Sequence, residues 1–76
     1  MAQFAVIGLG SFGVTASLEL ANQGHHVCAA DISENTINTF ANQLNYTVIL
    51  DASDETQLAR LDLTSCQAVL VAIGEN

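Results

Sequence analysis

The sequence predicts an α/β fold built on a doubly wound parallel sheet. Apolar runs of strand length alternate with helix-like segments along the 76 residues, in the order β-α-β-α-β-α-β. The run over residues 27–31 is nearly all apolar, as expected of a parallel strand whose two faces are both covered by helices. Short connections and right-handed crossovers then give the strands the spatial order 3-2-1-4.

The first half of the chain is typical of one βαβ unit. A strand is predicted over residues 3–8, and a helix follows from residue 11 or 12 to residue 22. Gly24 is typical of a residue that ends a helix, and the second strand takes residues 27–31.

The second half repeats the alternation with shorter elements. Asp31 or Ser33 can cap the next helix, because both side chains can accept a backbone N–H of a first helical turn. The remaining predicted elements are a helix over residues 34–43, a strand over 47–50, a capping loop over 51–55, a helix to about residue 61, and a strand over 68–73 that ends at Gly74.

Composition excludes several classes of protein. Half of the residues are hydrophobic and none is proline, so the chain is not a disordered segment. The longest apolar run, residues 68–73, is too short to span a membrane and predicts no direct membrane insertion. The N-terminus has no basic region before an apolar core, so we expect no signal peptide.

Net charge and cysteine usage limit which partners and which cellular compartment we expect for this protein. The net charge is −7 and Arg60 is the one strong base, which argues against nucleic acid as a partner. Cys28 and Cys66 have no paired spacing, so we expect reduced, largely buried thiols in a cytoplasmic protein rather than a disulfide or a zinc site. His25 and His26 lack a third ligand close in sequence, so a metal site is not predicted.

The most informative motif is the Gly-x-Gly-x-x-Gly that ends the first strand. Gly8 lets the chain turn out of the strand, and Gly10 lets a pyrophosphate approach the backbone. Gly13 lets the following helix pack closely on the strand, and the first-turn N–H groups and the helix dipole attract the phosphates. The motif therefore predicts a Rossmann-like dinucleotide site, although a tight turn that binds nothing is the alternative.

Four segments are expected to meet at the carboxyl ends of the strands. The strand order reverses between strands one and four, and ligands of open α/β sheets bind at such a switch point. Residues 8–13, Asp31, Asp51 with Ala52, and Ile73 with Gly74 all lie at strand ends on this edge. They predict one nucleotide-binding crevice.

Two acidic residues have predicted roles in that crevice. Asp31 ends the second strand, where its carboxylate can accept the hydroxyls of an adenosine ribose and would repel a 2′-phosphate; a helix cap is the alternative. Asp51 and Ala52 end the third strand, where an adenine ring would lie, although Asp51 can equally be a plain cap. Among nicotinamide dinucleotides, these residues favour NAD(H) over NADP(H).

The whole string resembles one family. It combines Phe4-Ala5-Val6-Ile7-Gly8-Leu9-Gly10-x-Phe12-Gly13, Gly24-His25-x-Val27, Asp31-Ile32 with Ile37-Asn38, Asp51-Ala52-Ser53-Asp54-Glu55 with Leu58 and Leu61, and Val69-x-Val71-Ala72-Ile73-Gly74. This resembles the RCK/KTN (TrkA-N type) nucleotide-binding domains of potassium channels and Trk/Ktr potassium transporters. The likeness covers essentially the full chain.

The resemblance implies a cytoplasmic regulatory subunit that is not an enzyme. Such a subunit binds NAD(H), or alternatively ATP/ADP, to control gating. It forms homo-oligomers, as a dimer and a higher ring, beneath a membrane potassium-translocating subunit. The nucleotide-contact residues expected with this resemblance are Gly8, Gly10, Ser11, Phe12, Gly13, Asp31, Ile32, Asp51, Ala52, Ala72, Ile73 and Gly74.

Two departures from the family pattern matter. Ktr-type members that discriminate ATP from ADP carry an arginine at the position of Ser11, so ATP sensing is not expected here. The family's nucleotide-binding lobe continues past the position of Gly74, so we expect residues 1–76 to be the N-terminal part of a single domain, truncated after the fourth strand.

A different functional class remains open from sequence alone. The chain could be the cofactor-binding half of an NAD-dependent dehydrogenase whose catalytic residues lie in a second domain. Against this, the chain has no lysine, and both histidines are predicted at the edge of the sheet opposite the crevice. A nucleotide-binding assembly domain without a regulatory role is the third hypothesis.

Overall fold

The computed structural model describes residues 2–61 and 63–72 of the chain. Within them the strands and helices alternate throughout. In chain order they are β1 (Gln3–Ile7), α1 (Ser11–Asn22), β2 (His26–Asp31), α2 (Glu34–Phe40), β3 (Tyr46–Ile49), α3 (Glu55–Leu58) and β4 (Ala68–Val71).

The described strands form one parallel sheet in the order β3-β2-β1-β4. This confirms the predicted order 3-2-1-4 and the predicted fold class. β1 is central, and its Val6 pairs with Ala29 of β2 on one side and with Leu70 of β4 on the other. The reversal of strand order therefore lies between β1 and β4, as the sequence predicts.

The hydrophobic core lies on the sheet face that α1 and α2 cover. Val6, Val27 and Ala29 are each 0% exposed, and Ile37 of α2 packs against them. The partly buried Leu18 of α1 joins the same cluster. Burying a valine, leucine or isoleucine side chain contributes about 1.5–3 kcal/mol, so this cluster is a major source of the hydrophobic stabilisation.

The opposite sheet face is less well covered. α3 spans only Glu55–Leu58 and contains no buried residue. On this face Val71 is 65% exposed, and Tyr46 and Val69 are also exposed. The described part of the chain therefore leaves apolar surface in contact with solvent beside both outer strands.

Several predicted boundaries move by a few residues. β1 ends at Ile7 rather than Gly8, because Gly8 turns out of the strand at φ +99°. β2 begins one residue early at His26, which pairs with Gln3, and β3 begins one residue early at Tyr46, which pairs with Cys28. These shifts come from cross-strand pairing, which a local pattern does not contain.

The last two helices are shorter than predicted. α2 ends at Phe40, not near residue 43, because the chain closes into a turn in which Gln43 N–H donates to the Phe40 carbonyl at 3.0 Å. α3 ends at Leu58 rather than near residue 61, since the N–H groups of Arg60 and Leu61 reach back only three residues. β4 ends at Val71 instead of residue 73, and residue 73 lies outside the described residues.

The structure settles which side chain caps α2. Ser33 Oγ accepts the N–H of Thr36 at 3.3 Å, so Ser33 is the cap and the carboxylate of Asp31 remains for other partners.

Among the described residues, none of the helices combines the length and the apolar character that spanning a bilayer requires.

Gly13 and Ser17 are the buried residues of α1, and we expect their replacement by alanine to change stability in opposite directions. A Cβ on Gly13 would lie 1.9 Å from the Gly8 carbonyl oxygen. Ser17, one turn later, is 0% exposed and its Oγ has no hydrogen-bond partner among the described residues. We expect Gly13→Ala to lower the free energy of unfolding by about 3 kcal/mol through overpacking.

On the same helix, we expect Ser17→Ala to raise the free energy of unfolding by about 1 kcal/mol, because it removes a buried unsatisfied hydroxyl. Thermal melts followed by circular dichroism should show shifts of opposite sign. A Gly13→Ala variant as stable as the parent would contradict the close approach of α1 to β1.

Candidate functional site

A crevice of about 610 Å³ opens beyond the carboxyl ends of the strands. It lies at the edge where the strand order reverses, which is the general place for ligands in open α/β sheets. Its lining residues are Ile7, Gly8, Leu9, Gly10, Ala30, Asp31, Ile32, Thr36, Leu50, Asp51, Ala52, Ser53 and Ala72. Most of them are apolar or glycine, and two are acidic.

Seven of the twelve residues predicted as nucleotide contacts line this crevice. They are Gly8, Gly10, Asp31, Ile32, Asp51, Ala52 and Ala72. Ser11, Phe12 and Gly13 do not line it, and the predicted Ile73 and Gly74 lie outside the described residues. Phe12 is 58% exposed on the first turn of α1. Gly13 is buried and faces the Gly8 carbonyl instead.

The glycine loop joins β1 to α1 at the floor of the crevice. Gly8 takes the left-handed region that glycine adopts without strain, and its N–H donates to the Ala30 carbonyl at 2.8 Å. Gly10 is the N-cap of α1 and offers no capping side chain. The positive end of a twelve-residue helix therefore lies at the crevice, where it favours an anion.

The carboxylate of Asp31 connects two loops of the crevice. Oδ2 accepts the N–H of Leu9 at 2.7 Å, and Oδ1 accepts the N–H of Ser33 at 2.8 Å. The Asp31 carbonyl also accepts the N–H of Leu50 at 3.0 Å, at the end of β3. A carboxylate has about four acceptor positions, so it can still accept the hydroxyls of a ligand.

The β3–α3 loop is held by its own side chains. Asp51 Oδ1 accepts both the Oγ–H of Ser53 at 2.6 Å and its N–H at 2.9 Å, and these bonds lower the pKa of the Asp51 carboxyl. Gln57 Oε1 accepts the Asp51 N–H at 2.9 Å, while Gln57 Nε2 donates to Asp54 Oδ2 at 3.2 Å. Asp51 is thus an ionised acceptor beside the crevice.

Six lining residues were not among the predicted contacts, and Gln57 behind the crevice was also missed; the six are Ile7, Leu9, Ala30, Thr36, Leu50 and Ser53. Leu9 and Ser53 lie within segments that were predicted, but the roles of their N–H groups depend on partners that spacing does not reveal. Thr36 lines the crevice from the first turn of α2, and its position three residues after the Ser33 cap could have indicated this. Gln57 lies in α3, six residues after the Asp51 N–H that it accepts, and no local sequence pattern predicts this contact.

The cysteines and the second histidine lie at a different cavity of about 260 Å³. Cys28, Cys66, His26 and Arg60 are among its lining residues, at the amino-terminal side of the sheet. In the described residues neither cysteine belongs to a disulfide, and both are half-buried rather than largely buried as the sequence predicted. Burial raises the pKa of the Cys28 thiol, and the nearby Cys66 raises it by a smaller amount. The thiolate, which is the nucleophilic form, is therefore disfavoured at Cys28.

No metal site is found in the part of the chain that the structure describes, where no three His, Cys, Asp or Glu residues come together suitably. His25 instead packs edge-on against Phe4, with the ring centroids 5.1 Å apart, and its Nδ1 accepts the N–H of Ala2 at 3.3 Å. Both contacts lie near the amino-terminal ends of β1 and β2.

The crevice contains no basic side chain among its described lining residues. Arg60 borders the other cavity, while Asp31 and Asp51 place negative charge at the crevice itself. An anionic group bound here would therefore depend on backbone N–H groups and on the dipole of α1 rather than on a cationic side chain.

Comparison with curated proteins finds potassium uptake proteins. The chain is 45% identical over 74 residues to the Ktr system potassium uptake proteins A and C of Bacillus subtilis (strain 168). The match covers 97% of this chain in each case, and 33% of protein A and 34% of protein C. Protein A of the Ktr system of Vibrio alginolyticus is 38% identical over 72 residues, which are 95% of this chain and 33% of that protein. The chain thus spans about a third of the length of these relatives.

A solved structure has the same fold. It is the NAD(P)-binding domain of an exopolyphosphatase-related protein from Archaeoglobus fulgidus, with a TM-score of 0.80 and 33% sequence identity. The match covers 91% of this chain and 52% of that one. The likeness places the chain among Rossmann-like domains, in agreement with its sheet order. The family model of the TrkA-N domain matches residues 4–76, so the chain belongs to the TrkA-N domain family.

Proposed function

We propose that this chain is the nucleotide-binding part of a regulatory subunit of a potassium uptake system. The observation that carries the proposal is the crevice in which the glycine loop, Asp31 and the Asp51–Ala52 strand end come together. The relatives named as potassium uptake proteins support the biological setting. The NAD(P)-binding domain of the structural neighbour supports a dinucleotide as the ligand class.

The proposed ligand is NAD(H), with ATP or ADP as the alternative. The pyrophosphate would lie over the glycine loop at the start of α1, where Gly10 allows close approach. The adenosine ribose would bind Asp31, whose carboxylate keeps acceptor positions beyond those used by Leu9 and Ser33. The adenine would lie near Asp51 and Ala52. Ser11, Phe12, Ile32, Ala72, Ile73 and Gly74 complete the proposed contacts.

We propose that residues 1–76 are the N-terminal part of one nucleotide-binding domain. In that setting the protein works in the cytoplasm as a homo-oligomer against a membrane potassium-translocating subunit, and the bound nucleotide controls gating. Chemistry on the ligand is not part of this proposal. Steady redox turnover of NADH with the full-length protein would favour the alternative, a dehydrogenase cofactor domain, and would overturn a purely regulatory role.

The first prediction tests the ribose contact. An acidic side chain at the end of β2 repels a 2′-phosphate, and no basic side chain among the described lining residues offsets this. We therefore expect NAD(H) to bind at least about tenfold tighter than NADP(H), which is about 1.4 kcal/mol. Isothermal titration calorimetry with the four dinucleotides measures the ratio. Equal affinities would remove Asp31 from the ribose site.

The second prediction concerns Ser11. A serine provides no charge-assisted partner for a γ-phosphate, and the net charge of −7 opposes an additional phosphate. We expect ATP to bind no better than ADP, and Ser11→Arg to shift the ratio towards ATP. Competition titrations give both ratios, with Thr15→Arg as a control one turn along α1. ATP preferred by more than about tenfold in the unmodified chain would contradict this expectation.

The third prediction concerns self-association. In the described residues β4 pairs with β1 alone, and it exposes Val69 and Val71 with no charge along the strand. An uncharged edge strand favours pairing with another chain. We expect self-association at micromolar concentration in light scattering, and we expect Val71→Lys to weaken it.

The matched control lies on the other edge of the sheet. Ile49 of β3 is also exposed, so Ile49→Lys adds the same charge at the opposite edge. Association that is lost equally in both variants would reflect net charge rather than contact through β4. A chain that remains a monomer of about 8.0 kDa would refute homo-oligomer formation through this edge.

A further inference from the structure

We infer that Asp31 is also a positioning residue, which holds the glycine loop in its anion-binding shape before any ligand arrives. The starting observation is the 2.7 Å hydrogen bond from Leu9 N–H to Asp31 Oδ2. Leu9 lies between Gly8 and Gly10, and a peptide flanked by two glycines loses much conformational entropy when it is ordered. A fixed acceptor at this point restricts the loop.

The acceptor itself is fixed from several sides. Asp31 belongs to β2, where it pairs with Ile49 of β3. Its Oδ1 accepts the N–H of Ser33 at 2.8 Å, which sets the orientation of the carboxylate plane. Ala30, the residue before it, accepts the N–H of Gly8 at 2.8 Å. The loop is therefore tied to β2 at two successive residues, once through the backbone and once through the Asp31 side chain.

The side-chain tie acts at the residue before the N-cap of α1. Gly10 is that N-cap, and its carbonyl accepts the N–H of Val14 at 2.9 Å in the first turn. Holding Leu9 thus sets the direction from which the chain enters the helix. If the proposed function is correct, the ribose and pyrophosphate sites share one carboxylate: Asp31 contacts the ribose directly and shapes the pyrophosphate site through Leu9.

The test must separate position from charge. Asp31→Glu keeps the negative charge and a carboxylate able to accept ribose hydroxyls. The added methylene moves the carboxylate by about 1.5 Å along the side chain. Because the backbone of residue 31 is fixed in β2, the carboxylate is displaced from the position in which it accepts the N–H groups of both Leu9 and Ser33. The control is Ser33→Ala, which removes the cap of α2 at Thr36 N–H but keeps the Ser33 N–H that Asp31 accepts.

The first readout is amide hydrogen exchange by NMR on the ligand-free 76-residue chain. In Asp31→Glu we expect exchange at Leu9 to accelerate at least about tenfold relative to the parent. Gly8 is the internal reference, since its bond to the Ala30 carbonyl involves no side chain. Ser33→Ala should leave Leu9 protected. Unchanged protection of Leu9 in Asp31→Glu, or equal loss at Gly8 and Leu9, would overturn the positioning role.

The second readout is the affinity for inorganic pyrophosphate, a probe without ribose. We expect Asp31→Glu to weaken pyrophosphate binding about fivefold, the effect of losing one hydrogen bond, although no charge has changed. Ser33→Ala should bind it as the parent does. Pyrophosphate bound equally by parent and Asp31→Glu would show that the tie does not shape the anion site. If neither pyrophosphate nor NAD binds the parent, the proposed function fails, while the exchange readout still decides the positioning role.

Discussion

The close approach of α1 to the end of β1 is the constraint from which the rest of the site follows. A side chain at Gly13 would collide with the Gly8 carbonyl. Because Gly13 has no side chain, α1 can lie this close to β1. At this depth Leu18 of α1 packs with the fully buried Val6 and Val27 of the two central strands. The same approach forces the chain to leave β1 through a sharp turn, which Gly8 makes at positive φ. Core packing and the shape of the glycine loop are therefore set by one contact.

The crevice itself is shaped by side chains that satisfy backbone N–H groups. The Asp31 carboxylate accepts N–H groups of the glycine loop and of the residue that caps α2. Gln57 accepts an N–H group at the start of the β3–α3 loop. Such bonds are each worth only about 1 kcal/mol net, but they replace the packing that loops of this length cannot supply. Thr36 and Ile32 then line a rim in which the N–H groups of Ser33 and Thr36 are already hydrogen-bonded. A ligand that binds such a rim has less ordering entropy to offset.

The sequence predicted what depends on local pattern and on chirality. Apolar runs located the described strands, and short right-handed connections gave their order, because both follow from rules that hold for any parallel sheet. The depth of Gly13 was predictable from the glycine spacing. The end of α2 at Phe40 and the pairing of Tyr46 with Cys28 were not, since they depend on turns and on register. Gln57 was missed for the same reason: its partner, the Asp51 N–H, is defined only once the loop has folded.

Charge explains why the proposed ligand is a dinucleotide rather than a triphosphate. The described lining of the crevice contains Asp31 and Asp51 and no base, within a chain of net charge −7. Hydrogen bonds from Ser53 lower the pKa of Asp51, so its negative charge persists to lower pH than that of an ordinary aspartate. Every phosphate placed here must be stabilised by backbone N–H groups and the dipole of α1, whose effect falls off within one turn. A pyrophosphate bridged between two riboses keeps its charge within that short range and offers hydroxyl donors to the carboxylates, whereas a terminal triphosphate adds charge that no described residue of the crevice can neutralise.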